Sequence, residues 1–407
     1  MVLCTILCIF ALSDSDRNKI LMKVFYDSQA FDMQTHGGVS RYIYEIYRNR
    51  TAEVEAELGV IESDNVYLQQ LGIPSEDYTY NHFICGADFP LKRMLYKAYY
   101  NCKYGHAQQW DHTPKLNQLL SESIIKKGDF DVFHATYFDG YFLEALGNRP
   151  FVLTVHDMIS ELFPNFYNER HPLVTGKQLL IPKAAQIIAV SEATKKDLMR
   201  LMNVPEEKIT VIYHGVNESS YVPSAKSPFD FEYILYVGER HLYKNFFNFC
   251  RSVFPILKRH QDLNVVCTGR EFNEEEQTFL KENMVTDRFK HIFFRTDQER
   301  YDLYHHALTF VYPSAYEGFG MPILEAFKAG CTVMLNHASC FPEIAGNAAI
   351  YFNMTDGASD FEEQFENVYR MNAKEREEQL LKQEQRLKLF SWKKSAQQHA
   401  QVYQKLC

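Results

Sequence analysis

Two glutamates, Glu317 and Glu325, stand eight positions apart in Ala315-Tyr-Glu-Gly-Phe-Gly-Met-Pro-Ile-Leu-Glu-Ala-Phe-Lys-Ala-Gly330. The glycine-bearing segment Gly318-Phe319-Gly320 between them can turn free backbone N–H groups toward an anion, as loops feeding a helix do. Carboxylates would repel a phosphate, so beside one they are better suited to accept hydrogen bonds from sugar or ribose hydroxyls. Arg240 and Lys244 lie close enough in one loop to converge on the same anion, a forked donor set beside a compact charge. His156 directly follows the apolar run Phe151–Val155, and Asp157 next to it could orient the imidazole or cap the following turn. Gly37 and Gly38, in His36-Gly-Gly-Val-Ser-Arg-Tyr42, lack the Cβ that would hold a ligand away from the backbone. Each feature also has an ordinary reading: surface glutamates, solvated cations, a structural histidine, a glycine turn.

The elements around these residues follow one grammar. Leu308–Pro313 reads as a buried strand, Pro322 suits a first helical turn, and Gly330 suits a left-handed stop. The glutamate segment is therefore strand, loop and helix, with Glu325 expected on the first turn. Elsewhere, short apolar runs alternate with amphipathic stretches, the pattern of parallel sheets covered by helices. The first set of strands is expected at Val24–Asp27, Asp131–Ala135, Phe151–Val155, Gln186–Val190 and Ile209–Tyr213. The second is expected at Tyr233–Gly238, Leu263–Thr268, His291–Phe294, Leu308–Pro313 and Cys331–Leu335. The fold class is thus α/β, with two Rossmann-like doubly wound domains facing across a cleft at their strand ends. The expected division is a leader at 1–21, a first Rossmann-like domain at 22–216, a linker at 217–231, a second Rossmann-like domain at 232–388, and a terminal helix at 389–407.

Composition narrows the classes. A chain of 407 residues favours two domains, and a net charge of −9 argues against broad nucleic-acid binding. Nine cysteines, an odd number without zinc-type pairing, fit reduced thiols in a cytosolic protein. Residues 1–21 carry an apolar run too short to span a bilayer and without a basic flank; Met22 reads as a natural start. The basic and aromatic stretch Leu91–Tyr104 is either a helix packed on the sheet or a peripheral contact with an anionic membrane, with the first favoured. Asp14-Ser-Asp16 and Asp129-Phe-Asp131 have the Asp-x-Asp form of metal-dependent enzymes. One lies in the leader and the other opens a strand, so no bound metal and no cofactor are expected.

Taken with the strand before it, Glu317-x7-Glu325 in EGFGMPILEA resembles the signature of retaining GT-B glycosyltransferases of family 4. Ala189-Val-Ser191, Tyr213-His-Gly-Val-Asn217 and Pro342-Glu-Ile-Ala-Gly346 extend the likeness, which runs from Met22 to about residue 403. The resemblance implies that Glu325 binds ribose and Glu317 sugar hydroxyls, and that His156 contacts the donor sugar near the reacting carbon. It further implies that Arg240 and Lys244 hold the diphosphate as leaving group, and that Gly37 and Gly38 approach the donor phosphate and the acceptor. The catalytic set would be His156, Glu317, Arg240 and Lys244. The donor would be a nucleotide-diphosphate sugar, with GDP-mannose favoured by the VGER…YKNF loop, and the acceptor a saccharide or lipid-linked saccharide in surface polysaccharide synthesis. One departure concerns the segment after His291-Ile-Phe-Phe294, where Arg295 stands in place of a frequent glycine, so the base is not legible. Rival readings on the same architecture are a nucleotide-sugar epimerase, a sugar phosphorylase and a non-catalytic sugar-nucleotide-binding subunit.

Overall fold

The computed structural model describes residues 21–74, 113–216, 221–240, 242–355 and 358–407. The leader, the Leu91–Tyr104 stretch and the start of the 217–231 linker lie outside the described residues, in whole or in large part.

Two six-stranded sheets organise the chain. The first has the order β2-β1-β3-β4-β5-β6, with β1 at Met22–Tyr26, β2 at Val54–Leu58, β3 at Val132–Ala135, β4 at Phe151–Val155, β5 at Gln186–Ala189 and β6 at Ile209–Val211. The second has the order β12-β11-β10-β7-β8-β9. Here β7 is Glu232–Tyr236, β8 Leu263–Cys267, β9 Phe289–His291, β10 Thr309–Tyr312, β11 Val333–Asn336 and β12 Ile350–Phe352. All pairings in the second sheet are parallel. The central strands are apolar on both faces because helices cover both; β8 and β10, for example, are buried throughout.

Within these two sheets, β2 and β12 were not expected from the sequence, and both are edges. β2 alternates exposed Glu55 and Glu57 with smaller residues, and β12 has only three residues. An edge strand needs no continuous apolar run. The expected strand at His291–Phe294 is displaced: β9 is Phe289–His291, and Phe293 is exposed.

By packing, the chain divides into two compact units, Met1–Val152 with Ala396–Cys407, and Leu153–Ser395. In the first, β1 is flanked by β2 and β3, and the helix Gly38–Arg48 buries Tyr42, Ile43 and Ile46. Three buried polar contacts tie the C-terminal helical residues to this unit. The Tyr403 hydroxyl meets that of Tyr26 at 2.9 Å and Nδ1 of His134 at 2.7 Å, and His399 Nε2 meets the Tyr42 hydroxyl at 2.5 Å.

In the second unit the decisive feature is the strand order of its own sheet. β7 leads to β8 and β9 on one side, whereas β10 lies on the other side of β7 and leads outward to β11 and β12. Connections after β7 and β10 therefore depart in opposite directions. They leave a crevice off the carboxyl ends of the two strands, the place where ligands enter open α/β sheets. The segment after β7 carries Arg240 and Lys244, and the segment after β10 carries Glu317 and Glu325.

Candidate active site

The loop after β10 runs into the helix Met321–Ala329, which has Pro322 in its first turn and ends on Gly330 in the left-handed conformation, φ 71°. Gly320 precedes the helix at φ 92°, a conformation that strongly favours glycine. Glu325 is the fifth helical residue, just past the first turn on which it was expected.

Lys244 reaches across the crevice, and its Nζ lies 2.6 Å from Oε1 of Glu317. The same carboxylate hydrogen-bonds Tyr312, whose hydroxyl is driven well above the ordinary phenol range by burial and by the neighbouring Glu317 charge. The Lys244 ammonium also lies 5.2 Å from the ring centre of Tyr243 and 5.8 Å from that of Tyr312. A partly exposed cation is thus held at the mouth of the crevice by one carboxylate and two aromatic faces, an arrangement an incoming anion could share.

Gly318 is fixed by contact with a different strand end. Its carbonyl accepts hydrogen bonds from Ser191 Oγ at 2.7 Å and Thr194 Oγ1 at 3.4 Å. A Cβ at this position would lie 1.7 Å from the carbonyl oxygen of His156. The two backbones therefore cross with no room for any side chain, which places the His156 peptide beside the glutamate loop. The ring of His156 lies 6.2 Å from that of His214, and His214 stacks on Phe319 at 4.4 Å. Burial, with a smaller effect from the Lys177 charge, pushes the His156 imidazole down to about 4 against an opposing pull from Asp157. The ring is neutral at neutral pH. The two readings of Asp157 resolve toward the turn: its Oδ1 accepts from the backbone N–H of Ile159 at 3.0 Å.

Arg240 departs from expectation. Its guanidinium does not meet Lys244 at a common anion but is enclosed by protein. Nε donates to Glu276 Oε1 at 3.1 Å, Nη1 to the Thr268 carbonyl at 2.8 Å, and Nη2 to the carbonyls of Arg270 and Glu271, the latter at 2.8 Å. Nη2 also lies 3.3 Å from Glu276 Oε2, and the guanidinium covers the ring of Phe272 at 4.7 Å. Arg240 is 1% exposed. With its donors so engaged, the guanidinium holds the β8 loop, Thr268–Glu271, against the helix Glu274–Glu282.

Glu325 is ion-paired with Arg300, Oε1 to Nη1 3.2 Å, both side chains 7% exposed. Arg300 in turn reaches Asp297 at 2.9 Å. The structure thus brings Glu317, Lys244, Gly318, Phe319 and the His156 peptide together, sets Glu325 on the adjoining helix with Arg300, and gives Arg240 other partners. Gly37 and Gly38 belong to the other unit, where Gly38 is exposed and opens the helix Gly38–Arg48 with nothing within 4 Å of a Cβ placed there.

Sequence reasoning missed Glu276, Arg300 and Lys177. Only Glu276 had a local signal. In Asn273-Glu-Glu-Glu276 the Asn and the last Glu, three positions apart, form a capping box, the side chain of each meeting the other's backbone N–H at 2.8 Å. Among the described residues no group of three or more His, Cys, Asp or Glu side chains is arranged to hold a metal ion, and no helix is long and apolar enough to cross a membrane.

An open parallel sheet that presents a lysine–glutamate pair and a glycine loop at its switch point is a frame for a ligand carrying both phosphate and hydroxyl groups. Comparison with known proteins supplies the class. Residues 221–387 match the model of glycosyl transferases group 1, and residues 97–220 that of glycosyltransferase family 4. The chain belongs to these glycosyltransferase families. It is 26% identical over 241 residues to the O-antigen chain mannosyltransferase RfbU of Salmonella typhimurium, covering 59% of this chain and 66% of that protein. It is 27% identical over 222 residues to O-antigen chain mannosyltransferase B of Escherichia coli, covering 50% of this chain and 58% of that protein. The match thus spans less than two thirds of the length of either relative. In fold the chain is similar to Anabaena HepE, solved in complex with UDP and glucose, at a TM-score of 0.69 and 16% identity over 94% of this chain and all of that one. It is also similar to sucrose-phosphate synthase of Thermosynechococcus elongatus, at 0.65 and 16% over 95% and 99%. The fold is GT-B.

Proposed function

We propose that this chain is a retaining hexosyltransferase that moves a sugar from a nucleotide-diphosphate donor, GDP-mannose first among candidates, to a saccharide or lipid-linked saccharide acceptor in surface polysaccharide synthesis. The observation that carries the reading is the crossing of Gly318 on the His156 carbonyl, which joins a neutral imidazole's strand end to the loop bearing Glu317 and Lys244. The names of the mannosyltransferase relatives support the choice of donor sugar.

In this reading Glu317 accepts hydrogen bonds from sugar hydroxyls and Glu325 from the ribose. Lys244 leaves its pair with Glu317 in part to meet the diphosphate, and the N–H groups of Gly318 to Gly320 assist. Charge developing on the leaving phosphate is then met by donors already in place, which is where most electrostatic catalysis arises. His156, neutral, donates to or accepts from the sugar near the reacting carbon. Arg240 acts at one remove by holding the loop after β8. The acceptor attacks from the face that the diphosphate leaves, and the departing phosphate oxygen takes the acceptor proton, so configuration is kept without a protein nucleophile. Reaction requires no metal and no cofactor beyond the donor.

The test is transfer from GDP-mannose, UDP-glucose and ADP-glucose by the purified full chain, in EDTA and with added Mg²⁺, with product configuration read by NMR. Melting with GDP, UDP and ADP ranks the nucleotides, since a ligand of the folded state raises its apparent stability. Glu325→Ala and Lys244→Ala should abolish most transfer. Epimerisation of the donor sugar without acceptor, or unchanged transfer in both variants, would refute the proposal.

A further inference from the structure

Lys177 lies in the helix Pro172–Leu180, far in sequence from the glutamate loop, and its side chain is 2% exposed. Lysine is among the residues least often fully buried, and an ammonium removed from water is tolerated only when its N–H groups are all met by acceptors. Here they are. Nζ lies 2.9 Å from the Asp157 carbonyl oxygen, 3.0 Å from Ser160 Oγ and 3.0 Å from Glu161 Oε2, with Asp157 Oδ1 at 3.5 Å. All of these acceptors belong to the five residues that follow His156.

The consequence is geometric. β4 is buried along its whole length, which fixes the chain up to Val155. Lys177 fixes it again from Asp157 to Glu161, and Asp157 closes the turn onto Ile159. His156 is the single residue between the two anchors, and its carbonyl is the surface on which Gly318 rests. A small rotation of the Asp157 peptide would therefore swing the imidazole and press the His156 carbonyl into the glutamate loop.

We propose that Lys177 is a positioning residue for the transfer reaction: its buried ammonium locks the peptide after His156, and so sets both the direction of the imidazole and the seat of the Gly318 loop. This rests on the reading of His156 as a residue that meets the donor sugar. Lys177 itself touches no substrate. A misplacement of about 1 Å from such a distance can cost on the order of 100-fold in rate.

The experiment uses the full chain with Lys177→Met, Lys177→Arg and Ser160→Ala. GDP release from GDP-mannose without acceptor gives kcat and KM, and NMR titration of the His156 imidazole, assigned with His156→Gln, gives its midpoint in the ligand-free protein. The titratable and charged groups that face that ring are Asp157 beside it, Lys177 from the helix, and His214 after β6. Lys177→Met should lower kcat about 10–100-fold with donor KM unchanged, and should raise the His156 midpoint from about 4. Lys177→Arg should recover part of both. A folded Lys177→Met with wild-type kcat and midpoint overturns the proposal, as does a parallel rise in KM that Lys177→Arg does not relieve. If Lys177→Met does not fold, Ser160→Ala must shift kcat and midpoint in the same directions; no shift overturns it. If the wild-type chain leaves GDP-mannose intact without acceptor, the midpoint alone decides whether Lys177 governs His156; the transferase reading fails for that donor only if it stays intact with acceptor as well.

Discussion

Replacing Arg240 should destabilise the second unit more than it weakens any contact with a ligand. The guanidinium is 1% exposed, and its partner Glu276 is 2% exposed. Arg240→Met keeps much of the volume and removes the charge. Glu276 then keeps its bond from the Asn273 N–H but loses the cation at 3.1 Å, while the carbonyls of Thr268, Arg270 and Glu271 lose their donor. Breaking a buried pair from one side costs about 3–5 kcal/mol, because the surviving charge has no compensation. For a unit of this size that corresponds to a fall in melting midpoint of roughly 6–10 °C. Arg240→Met with Glu276→Leu should be less destabilised than the sum of the two changes, since no buried charge is left behind. Urea and thermal unfolding of the ligand-free variants give both quantities. If Arg240→Met melts as wild type while losing affinity for GDP and UDP, the guanidinium serves the ligand and the enclosure described above is not its role.

Other expectations are simpler. Gly318→Ala must displace a backbone carbonyl 1.7 Å from the new Cβ, so it should lose at least about 1–3 kcal/mol and most activity. Gly38→Ala meets nothing within 4 Å and should keep its melting point; activity lost at unchanged stability would show that this helix start meets a ligand. Lys244→Ala should lower transfer about 100–1000-fold while changing the melting point less than Arg240→Met does, since the Lys244 side chain is 17% exposed; equal losses of stability would refute the contrast. The imidazole of His156 falls from 6.5 to about 4 on folding, so the unfolded chain binds the extra proton between those values. Stability from this residue is complete above pH 6.5 and is lost as pH falls toward 4, on the order of 3 kcal/mol in all. His156→Gln should flatten that part of the urea-unfolding profile, and an unchanged slope would refute the assignment.

What the sequence made legible were features written locally. Central strands announce themselves by continuous burial, and Pro322 and Gly330 mark their helix because each has a fixed backbone preference. The edges β2 and β12 were not legible, because an edge needs only alternate or brief apolar contact. At the site, Glu317 and Lys244 were read for different parts of a donor, the sugar and the diphosphate, and the direct pair between them was not legible. Arg240 misled because four residues of separation says nothing about which side of a loop each side chain takes. Its true partner, Glu276, is 36 residues away. Lys177 and Arg300 escaped for the same reason: a buried ion pair is a tertiary fact, and only the capping box of Asn273 and Glu276 had left a mark in the order of residues.

The peptide crossing at Gly318 also limits how this chain can be rebuilt. Its two members come from stretches matched by different family models, 97–220 and 221–387. A chimera that swaps one stretch for a relative's inherits a joint with zero clearance, where even a methyl group in the wrong place jams the assembly. Donor preference should therefore be easier to transplant with residues 154–162 and 314–321 moved as a set than by exchanging either stretch whole.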